Sequence, residues 1–235
     1  MADLQKLHEL IPLIDNFLLT RGTDETITFA TTVAAWETGD TQDVGFPLCE
    51  PDGYADGYPY ITINGVKWAT MNIGATSETQ YGLYFAWGDT QGYDKDSGHE
   101  FTSANYTAKG LNTISTNLSL AQDAVNVRLG GSLRMPTKAD FEELYRNTNV
   151  TWTTINGVAG RKFANKTDAS KYIFIPAVGD YSGSSLGHWD SSGDYWSSTF
   201  YDSSDAYLFY FDSGNQGTGY SNRYYGFSVR GVCSK

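Results

Sequence analysis

Three features of the sequence predict an α+β protein rich in strands and loops. Asn64-Gly65 and Asn156-Gly157 each mark the turn of a predicted β-hairpin, because an Asn-Gly pair between strand-like runs is the strongest short hairpin signal. A helix is predicted after Pro136, where Thr137 and Asp140 have the spacing of a capping box. Aromatic residues make up 15% of the 235 residues, which is enough apolar surface to build a folded core.

The N-terminal part is predicted to be organised differently from the rest. Residues 1–20 are expected to form a helix, 21–57 a connector with one strand from Thr26 to Val33, and 58–235 the main domain. Pro12 should kink the helix. The helix either joins copies of the chain into a homo-oligomer or packs on its own domain. Its apolar seam is too short to decide between these alternatives. The seam consists of Leu4, Leu7, Ile11, Ile14 and Leu18.

The remaining elements follow from alternation and turn residues. The segments 61–63, 81–87 and 172–178 are predicted strands, and 89–116 is a predicted surface loop. After Pro136, the side chains of Phe141, Leu144 and Tyr145 should share one face of the helix. From Gly179 onward we expect short strands and Gly/Ser-rich turns, ending with a strand from Gly226 to Val232.

Charge and composition disfavour several classes of function. The formal net charge of −11 repels phosphate backbones and anionic lipids, so we expect neither nucleic acid binding nor membrane binding. No apolar run is long enough to cross a bilayer. The start of the chain lacks the basic and apolar stretches of a signal peptide, so Sec-dependent export is not expected.

The sequence favours no catalytic or metal site. Gly183 to Gly187 match the nucleophile-elbow pattern, but the helix that this chemistry requires is not predicted after it. The acidic loop 94–100 faintly resembles a calcium loop and lacks the full pattern. Cys49 and Cys233 are far apart and are expected to be reduced structural thiols, while the histidines are scattered. We therefore expect no enzyme activity, metal or cofactor.

The C-terminal segment has the composition of a binding surface. Between Lys171 and Lys235 there is no Lys or Glu, and Tyr, Ser, Gly, Asn and Asp dominate, as in antibody paratopes. The alternative is a Gly/Ser-rich β-region without a binding role. Alternation further predicts that Phe209 and Phe211 face the core while Leu208 and Tyr210 are exposed.

Six stretches resemble the variable proteins of diversity-generating retroelements, which have a C-type-lectin-type fold and are related to the fibrobacter major paralogous domain. The resemblance covers about residues 58–234, with the motifs in the expected order. The stretches are Trp68 to Ala75, Tyr84 to Gly88, Leu133 to Thr137, Ile173 to Ala177, Tyr195 to Thr199 and Gly226 to Arg230.

The resemblance implies a C-type-lectin-like domain with a variable region at about 180–226. In that family, adenine-directed mutagenesis rewrites asparagine codons, which do not yield Lys or Glu. The implied scaffold positions are Trp196, Phe211, Gly226, Phe227 and Arg230. The implied varied, ligand-binding positions are Tyr181, Ser182, His188, Tyr201, Asp202, Asp205, Leu208, Tyr210, Asp212, Asn215, Gly217, Gly219, Tyr220, Ser221, Asn222 and Tyr225.

The function implied by the resemblance is capture of a protein or glycan on a cell surface. A phage receptor-binding protein on the virion and a bacterial surface protein both fit this expectation. Two alternatives stay open, an enzyme similar to the formylglycine-generating enzymes and a plain structural fibre module. The enzyme chemistry uses two nearby cysteines and a metal, an arrangement that Cys49 and Cys233 do not match.

Overall fold

The computed structural model describes residues 51–233. The predicted N-terminal helix and its oligomerisation seam, the strand from Thr26 to Val33, Cys49 and most of the connector lie outside the described residues. Within 51–233, strands predominate and helices are few and short, which confirms the α+β prediction. In the same range, no helix is long and apolar enough to span a membrane.

Fifteen strands and three α-helices make up the regular structure of the described range. The helices are α1 (Ser103–Ala108), α2 (Ala124–Leu129) and α3 (Lys138–Asn147). The strands are β1 (Gly53–Ala55), β2 (Tyr58–Ile63), β3 (Val66–Asn72), β4 (Tyr84–Phe85), β5 (Leu133–Arg134), β6 (Thr148–Ile155), β7 (Val158–Asn165), β8 (Tyr172–Pro176), β9 (Asp180–Ser182), β10 (Ser185–Gly187), β11 (Ser192–Phe200), β12 (Asp205–Asp212), β13 (Gln216–Asn222), β14 (Phe227–Ser228) and β15 (Arg230–Cys233).

The strands form two five-stranded sheets, one three-stranded sheet and one hairpin. The first sheet has the order β1-β2-β3-β15-β5 and the second β13-β12-β11-β14-β4. The third sheet is β6-β7-β8, and β9 pairs with β10. Strands β11 and β14 pair in parallel, whereas the other named pairs are antiparallel. The C-terminal strands β14 and β15 therefore connect the two large sheets.

Both predicted hairpins are confirmed. Asn64 and Gly65 have φ angles of 52° and 80° between β2 and β3. Asn156 and Gly157 have φ angles of 50° and 81° between β6 and β7. Two consecutive positive φ angles are the requirement of a type I′ turn, which Asn-Gly meets at little steric cost.

The predicted helix after Pro136 is also confirmed, as α3. The Thr137 hydroxyl accepts a hydrogen bond from the Asp140 backbone N–H at 3.2 Å, and the Asp140 carboxylate accepts one from the Thr137 N–H at 2.8 Å. These bonds satisfy donors that a helix start otherwise leaves free. Phe141 and Leu144 are buried on the inner face of the helix.

Other boundaries differ from the prediction. The loop 89–116 contains α1, because the Thr102 hydroxyl caps its first turn and the buried Tyr106 donates to the Trp87 carbonyl at 2.9 Å. The strand predicted over 81–87 is only β4, and the one predicted over 172–178 ends at Pro176. The connector predicted up to residue 57 includes β1, which pairs with β2.

The core consists of two buried clusters on opposite sides of β12. Phe209 lies in the first cluster, stacked at 4.8 Å on Phe141 of α3. Leu208 lies in the second, which also contains Trp196 and Phe227 with ring centroids 4.4 Å apart. The prediction that Phe209 is core is confirmed, but the prediction that Leu208 is exposed is wrong, because this part of β12 is covered on both faces.

Candidate functional site

The predicted binding positions lie mainly on β12, β13 and the loops beside them. Directly opposed residues of an antiparallel pair share one face, and successive residues alternate between faces. Tyr207 is opposite Tyr220 on the face toward α3, whereas Tyr210 is opposite Gly217 on the other face. The structure therefore divides the predicted positions between two surfaces instead of collecting them in one.

The first surface is a tyrosine cluster, formed by Tyr201, Tyr207 and Tyr220. The rings of Tyr201 and Tyr220 stack with centroids 4.2 Å apart, and Tyr207 meets Tyr201 edge-on at 5.1 Å. Tyr220 is 57% exposed, so the stack is accessible from solvent. Aromatic rings held in this way offer a large contact area without losing many side-chain rotamers on binding.

Helix α3 supplies the charged rim of the tyrosine cluster. The Lys138 ammonium lies 4.6 Å from the centroid of the Tyr207 ring, a cation–π arrangement. Glu142 accepts a hydrogen bond from the Thr218 hydroxyl at 3.0 Å and lies 3.5 Å from the Lys138 ammonium. These contacts join α3 to β13 and position Tyr207 beside the exposed pair.

The second surface is a glycine face, formed by Tyr210, Gly217, Gly219 and Asp194. A Cβ atom on Gly217 would lie 3.1 Å from the Tyr210 hydroxyl oxygen, and one on Gly219 would lie 3.4 Å from a ring carbon. The Tyr210 ring therefore lies across β13, where the absence of side chains gives it room. Asp194 of β11 is the register partner of Tyr210 on its other side.

Asp194 has the most perturbed carboxyl group near this face. Burial, and to a smaller extent the nearby Asp180 carboxylate, raise the pKa of Asp194 to about 7, while His188 and a hydrogen bond from Ser192 oppose the rise. His188 Nδ1 lies 2.7 Å from Asp180 Oδ1. That hydrogen bond, together with the Asp180 charge, raises the pKa of His188. The face thus carries two carboxyl groups and one imidazole in electrostatic contact.

Arg223 fixes the backbone beneath the tyrosine cluster. Its guanidinium donates to the carbonyl of Ile114 at 2.7 Å and also to the carbonyl of Asp202. It lies 4.8 Å from the ring centroid of Trp87 and 4.7 Å from that of Phe200. A planar cation with several donors suits this combination of carbonyl bonding and ring stacking.

Asp202 and Asp212 shape loops with their carboxylates. Asp202 Oδ1 accepts hydrogen bonds from the backbone N–H groups of Ser204 and Asp205, each at 2.8 Å. Asp212 Oδ1 likewise accepts from the N–H groups of Gly214 and Asn215 at 2.6 and 2.8 Å. Both are predicted ligand-binding positions, and both are exposed while also stabilising turns.

The sixteen predicted positions differ in accessibility. Two are buried, Tyr181 at 7% and Leu208 at 5% exposure. The exposed ones are Ser182, His188, Tyr201, Asp202, Tyr210, Asp212, Asn215 and Tyr220. The partly buried ones are Asp205, Gly217, Gly219, Ser221, Asn222 and Tyr225.

The two buried positions are unsuited to direct ligand contact. The Tyr181 ring meets the Tyr84 ring edge-on at 4.9 Å, and its hydroxyl donates to the Lys95 carbonyl at 3.0 Å. Tyr181 therefore ties the hairpin of β9 and β10 to the loop before α1. Leu208 fills the second core cluster, as described above.

Sequence reasoning missed three residues of the two surfaces. Tyr207 falls on the same side of the strand as Phe209 and Phe211 by alternation, but it lies near the start of β12 and is partly exposed. Asp194 directly precedes the stretch from Tyr195 to Thr199, and Asp180 directly precedes Tyr181, the first of the predicted positions. No local pattern reveals that Asp180 and Asp194 come together, because the proximity depends on sheet pairing.

The implied scaffold positions are all buried. Trp196 and Phe227 pack in the second core cluster and Phe211 in the first. The Gly226 backbone lies close to the Phe101 ring, and a Cβ atom at this position would be only 2.6 Å from that ring. The Arg230 guanidinium donates at 3.1 Å to the carbonyls of Ala69 and Phe174.

The segments considered for catalysis or metal binding have other roles in the structure. Ser184 lies in the tight turn between β9 and β10, with no helix after it, so the nucleophile-elbow geometry is not formed. In the acidic loop, Asp94 accepts from the Asp96 N–H at 2.9 Å and Lys95 pairs with Asp96 at 2.8 Å. Between residues 51 and 233, no three or more His, Cys, Asp or Glu side chains form a group that could hold a metal ion.

A shallow cleft beside α1 is the other concave feature of note. Its enclosed volume is about 10 Å³, and His99, Glu100, Asn105 and Tyr224 contribute to its lining. This is room for about one water molecule and not for a small ligand. The exposed faces of β12 and β13 are therefore the better candidates for recognition, through a surface and not a pocket.

Comparisons of the chain with protein-family models, with curated proteins and with solved structures return no match.

Proposed function

We propose that the protein is a ligand-binding display protein with a C-type-lectin-like fold and a diversified C-terminal surface. Its ligand is a protein or glycan on a cell surface, and the protein acts on a phage virion or a bacterial surface. The observation that carries the proposal is the tyrosine cluster, in which stacked and exposed rings stand on a backbone fixed by Arg223. Exposed aromatic groups on a rigid base are typical of recognition surfaces.

The division between core and surface explains how binding would be changed without refolding. The side chains of Tyr201, Tyr210 and Tyr220 are exposed at the surface, whereas those of Trp196 and Phe211 fill the interior. Exchanging an exposed side chain usually changes stability by no more than about 0.5 kcal/mol, while truncating a buried aromatic costs about 3–5 kcal/mol. Diversification limited to exposed positions therefore leaves the scaffold intact.

Sequencing the gene and its neighbourhood in many isolates tests the proposal. We expect a nearby reverse transcriptase gene, a near-copy of the last part of this gene, and variation concentrated at Tyr201, Tyr210 and Tyr220. Positions Trp196 and Arg223 should be constant and serve as internal controls, since both are buried. Absence of the near-copy, together with variation spread evenly over core and surface, would reject the proposal.

A further inference from the structure

Strand β13 is the outer strand of its five-stranded sheet and is accessible along its length. It has seven residues, compared with three in β1 and two each in β4 and β5, the other edges of the two large sheets. None of the seven residues is buried. The unpaired backbone groups of an edge strand are a template for pairing with another chain, and most proteins blunt such edges. A long and accessible edge strand is therefore a candidate binding site for another strand.

The features that commonly protect an edge strand are missing from β13. Its sequence, from Gln216 to Asn222, contains neither proline nor any charged residue. It pairs with β12 without a register shift, whereas the pairing of β11 with β12 is irregular between Trp196 and Phe200. Charges, prolines and bulges are the devices that keep edges from pairing. Strand β13 thus has the regular, uncharged backbone that the addition of a strand requires.

Hydrogen bonds at the two ends of β13 show which of its backbone groups face β12. The Asp212 N–H donates to the Asn215 carbonyl at 2.9 Å, and the Arg223 N–H donates to the Ser204 carbonyl at 3.1 Å. Hydrogen-bonded and non-hydrogen-bonded pairs alternate along an antiparallel ladder, and both of these pairs fit the register of β12 with β13. The residues of β13 that direct their backbone groups toward β12 are Gly217, Gly219 and Ser221.

The intervening residues of β13 direct their backbone groups away from the sheet. In the described part of the chain, the N–H and C=O groups of Thr218 and Tyr220 make no hydrogen bond, and neither does the Asn222 N–H. The Asn222 carbonyl accepts from the Tyr225 N–H at 3.0 Å, and the Gln216 N–H donates to a neighbouring side chain at 2.9 Å. The unpaired edge is therefore centred on Thr218 and Tyr220.

The charge around β13 disfavours a second copy of this chain as the added strand. Asp212 lies just before β13, and Asp205 is the register partner of its last residue, Asn222. Two copies paired edge to edge would bring these acidic ends together, and each chain carries a net charge of −11. Like charges oppose such pairing, and a large net charge favours the monomer. A segment without acidic residues avoids this repulsion.

We propose that the outer edge of β13 binds an extended segment of a partner protein, free of acidic residues, as an added strand. This inference rests on the proposed function and makes its ligand a protein. Main-chain hydrogen bonds with Thr218 and Tyr220 supply affinity, while alternate side chains of the added strand lie beside the tyrosine cluster and supply specificity. Exchange of the Tyr220 side chain changes the second contribution and leaves the first intact.

Amide hydrogen exchange of the full chain, resolved by residue with NMR, tests the proposal. The probe is a peptide of seven alternating threonine and valine residues with a lysine at each end. In the free chain, the amides of Thr218, Tyr220 and Asn222 should exchange at least about tenfold faster than those of Gly217 and Gly219. Saturating peptide should slow exchange of the first three at least about tenfold. The same peptide N-methylated at every residue has no backbone donors and should protect none of them.

Variants with matched controls locate the binding edge. Thr218→Pro removes an outward N–H, a change that edge strands tolerate, whereas Thr218→Val removes the same hydroxyl and keeps the N–H. By fluorescence anisotropy, the Pro change should raise the dissociation constant of the peptide at least about tenfold and the Val change less than about threefold. Strand β6 is another long edge, with eight residues, and Thr154→Pro there should also change the constant less than about threefold.

Four results would overturn the inference. Absence of peptide binding by the folded wild-type chain, or equal binding of the N-methylated peptide, would exclude pairing through the main chain. Loss of binding in Thr154→Pro but not in Thr218→Pro would place the site on β6. Slow exchange at Thr218 and Tyr220 without peptide would show an edge already filled, by a second copy where protection grows with protein concentration and otherwise by residues 1–50 of the same chain.

Two features of this design keep its outcomes distinct. If Thr218→Pro does not fold, the exchange pattern of the wild-type chain and the N-methylated peptide still decide the question. None of the results depends on whether the gene is diversified, so the proposed function and this inference fail separately.

Discussion

Tyr201 and Tyr220 stack on the protein surface with their ring planes 8° from parallel. They come from different elements, since Tyr201 follows β11 and Tyr220 lies in β13. The contact therefore holds a loop against the edge strand of the sheet. An aromatic pair of this kind contributes about 0.5–1.5 kcal/mol beyond its buried area, which is small compared with a core aromatic.

Replacing Tyr201, Tyr210 and Tyr220 by Ala should leave the protein folded. Each change should cost no more than about 0.5–1.5 kcal/mol, because the rings are exposed and lose mainly surface contacts. The free energy of unfolding from a urea titration measures the effect. Tyr195→Ala is the matched control, and its buried ring should cost about 3–5 kcal/mol. Unfolding of the triple variant would place these side chains in the core.

Trp196→Ala and Phe211→Ala should each destabilise the protein by about 3–5 kcal/mol, since both side chains are almost completely buried. Trp196 also loses the hydrogen bond from its indole N–H to the Phe85 carbonyl, which measures 2.8 Å. Urea unfolding measures both losses. A cost below about 1 kcal/mol for either variant would contradict the register of β11 and β12.

Gly193→Ala should strongly destabilise the protein. A Cβ atom at Gly193 would lie 2.3 Å from the Phe211 ring, which is fixed in the first core cluster and cannot move away. Gly214→Ala adds the same atom where its nearest neighbour is a carboxylate oxygen at 3.5 Å, so it should be tolerated. The melting temperatures of Gly193→Ala and Gly214→Ala measure this difference. Equal melting temperatures would mean that Phe211 does not pack against β11 in this way.

Local patterns predicted the elements that depend on near neighbours in the sequence. The turns at Asn64 and Asn156 and the cap at Thr137 are set by a few adjacent residues, and all three form as expected. The core position of Phe209 also followed from simple alternation. These features are predictable because one backbone conformation or one side-chain bond decides each of them.

Features that depend on long-range packing were not predictable in the same way. Alternation assumes one buried face, but β12 has core clusters on both sides at Leu208 and Phe209. Tyr181 is held by Tyr84 and Lys95, which lie 97 and 86 positions earlier in the sequence. The separation of the binding positions into two surfaces likewise follows from the pairing of β12 with β13.

Arg223→Met should cost about 3–5 kcal/mol, because the carbonyl of the buried Ile114 and the carbonyl of Asp202 both lose a charged donor. Arg223→Lys should restore little, since an ammonium group cannot both reach these carbonyls and stack between two rings. Urea unfolding and hydrogen exchange in residues 201–205 measure the effect. Arg146→Met removes an exposed arginine and should be close to neutral. Equal stability of the two Met variants would exclude a structural role for Arg223.

Asp194→Asn should stabilise the protein increasingly as the pH rises. The folded state holds the Asp194 proton more tightly than the unfolded chain does, because burial raises the pKa from 3.8 to about 7. Wild-type stability is therefore highest when Asp194 is protonated in both states, and it falls between about pH 4 and pH 7 as only the unfolded chain ionises. Asn cannot ionise and avoids this loss.

Melting temperatures of the two proteins from about pH 4 to pH 8 measure this difference, which should grow until about pH 7 and reach roughly 3–10 °C. Asp168→Asn is the control, because hydrogen bonds from Ser170 lower the pKa of that exposed carboxyl and no such growth is expected. A constant difference for Asp194→Asn would contradict burial of its carboxyl group. The stability lost on ionisation is therefore the cost of keeping the Asp194 carboxylate buried beside Tyr210.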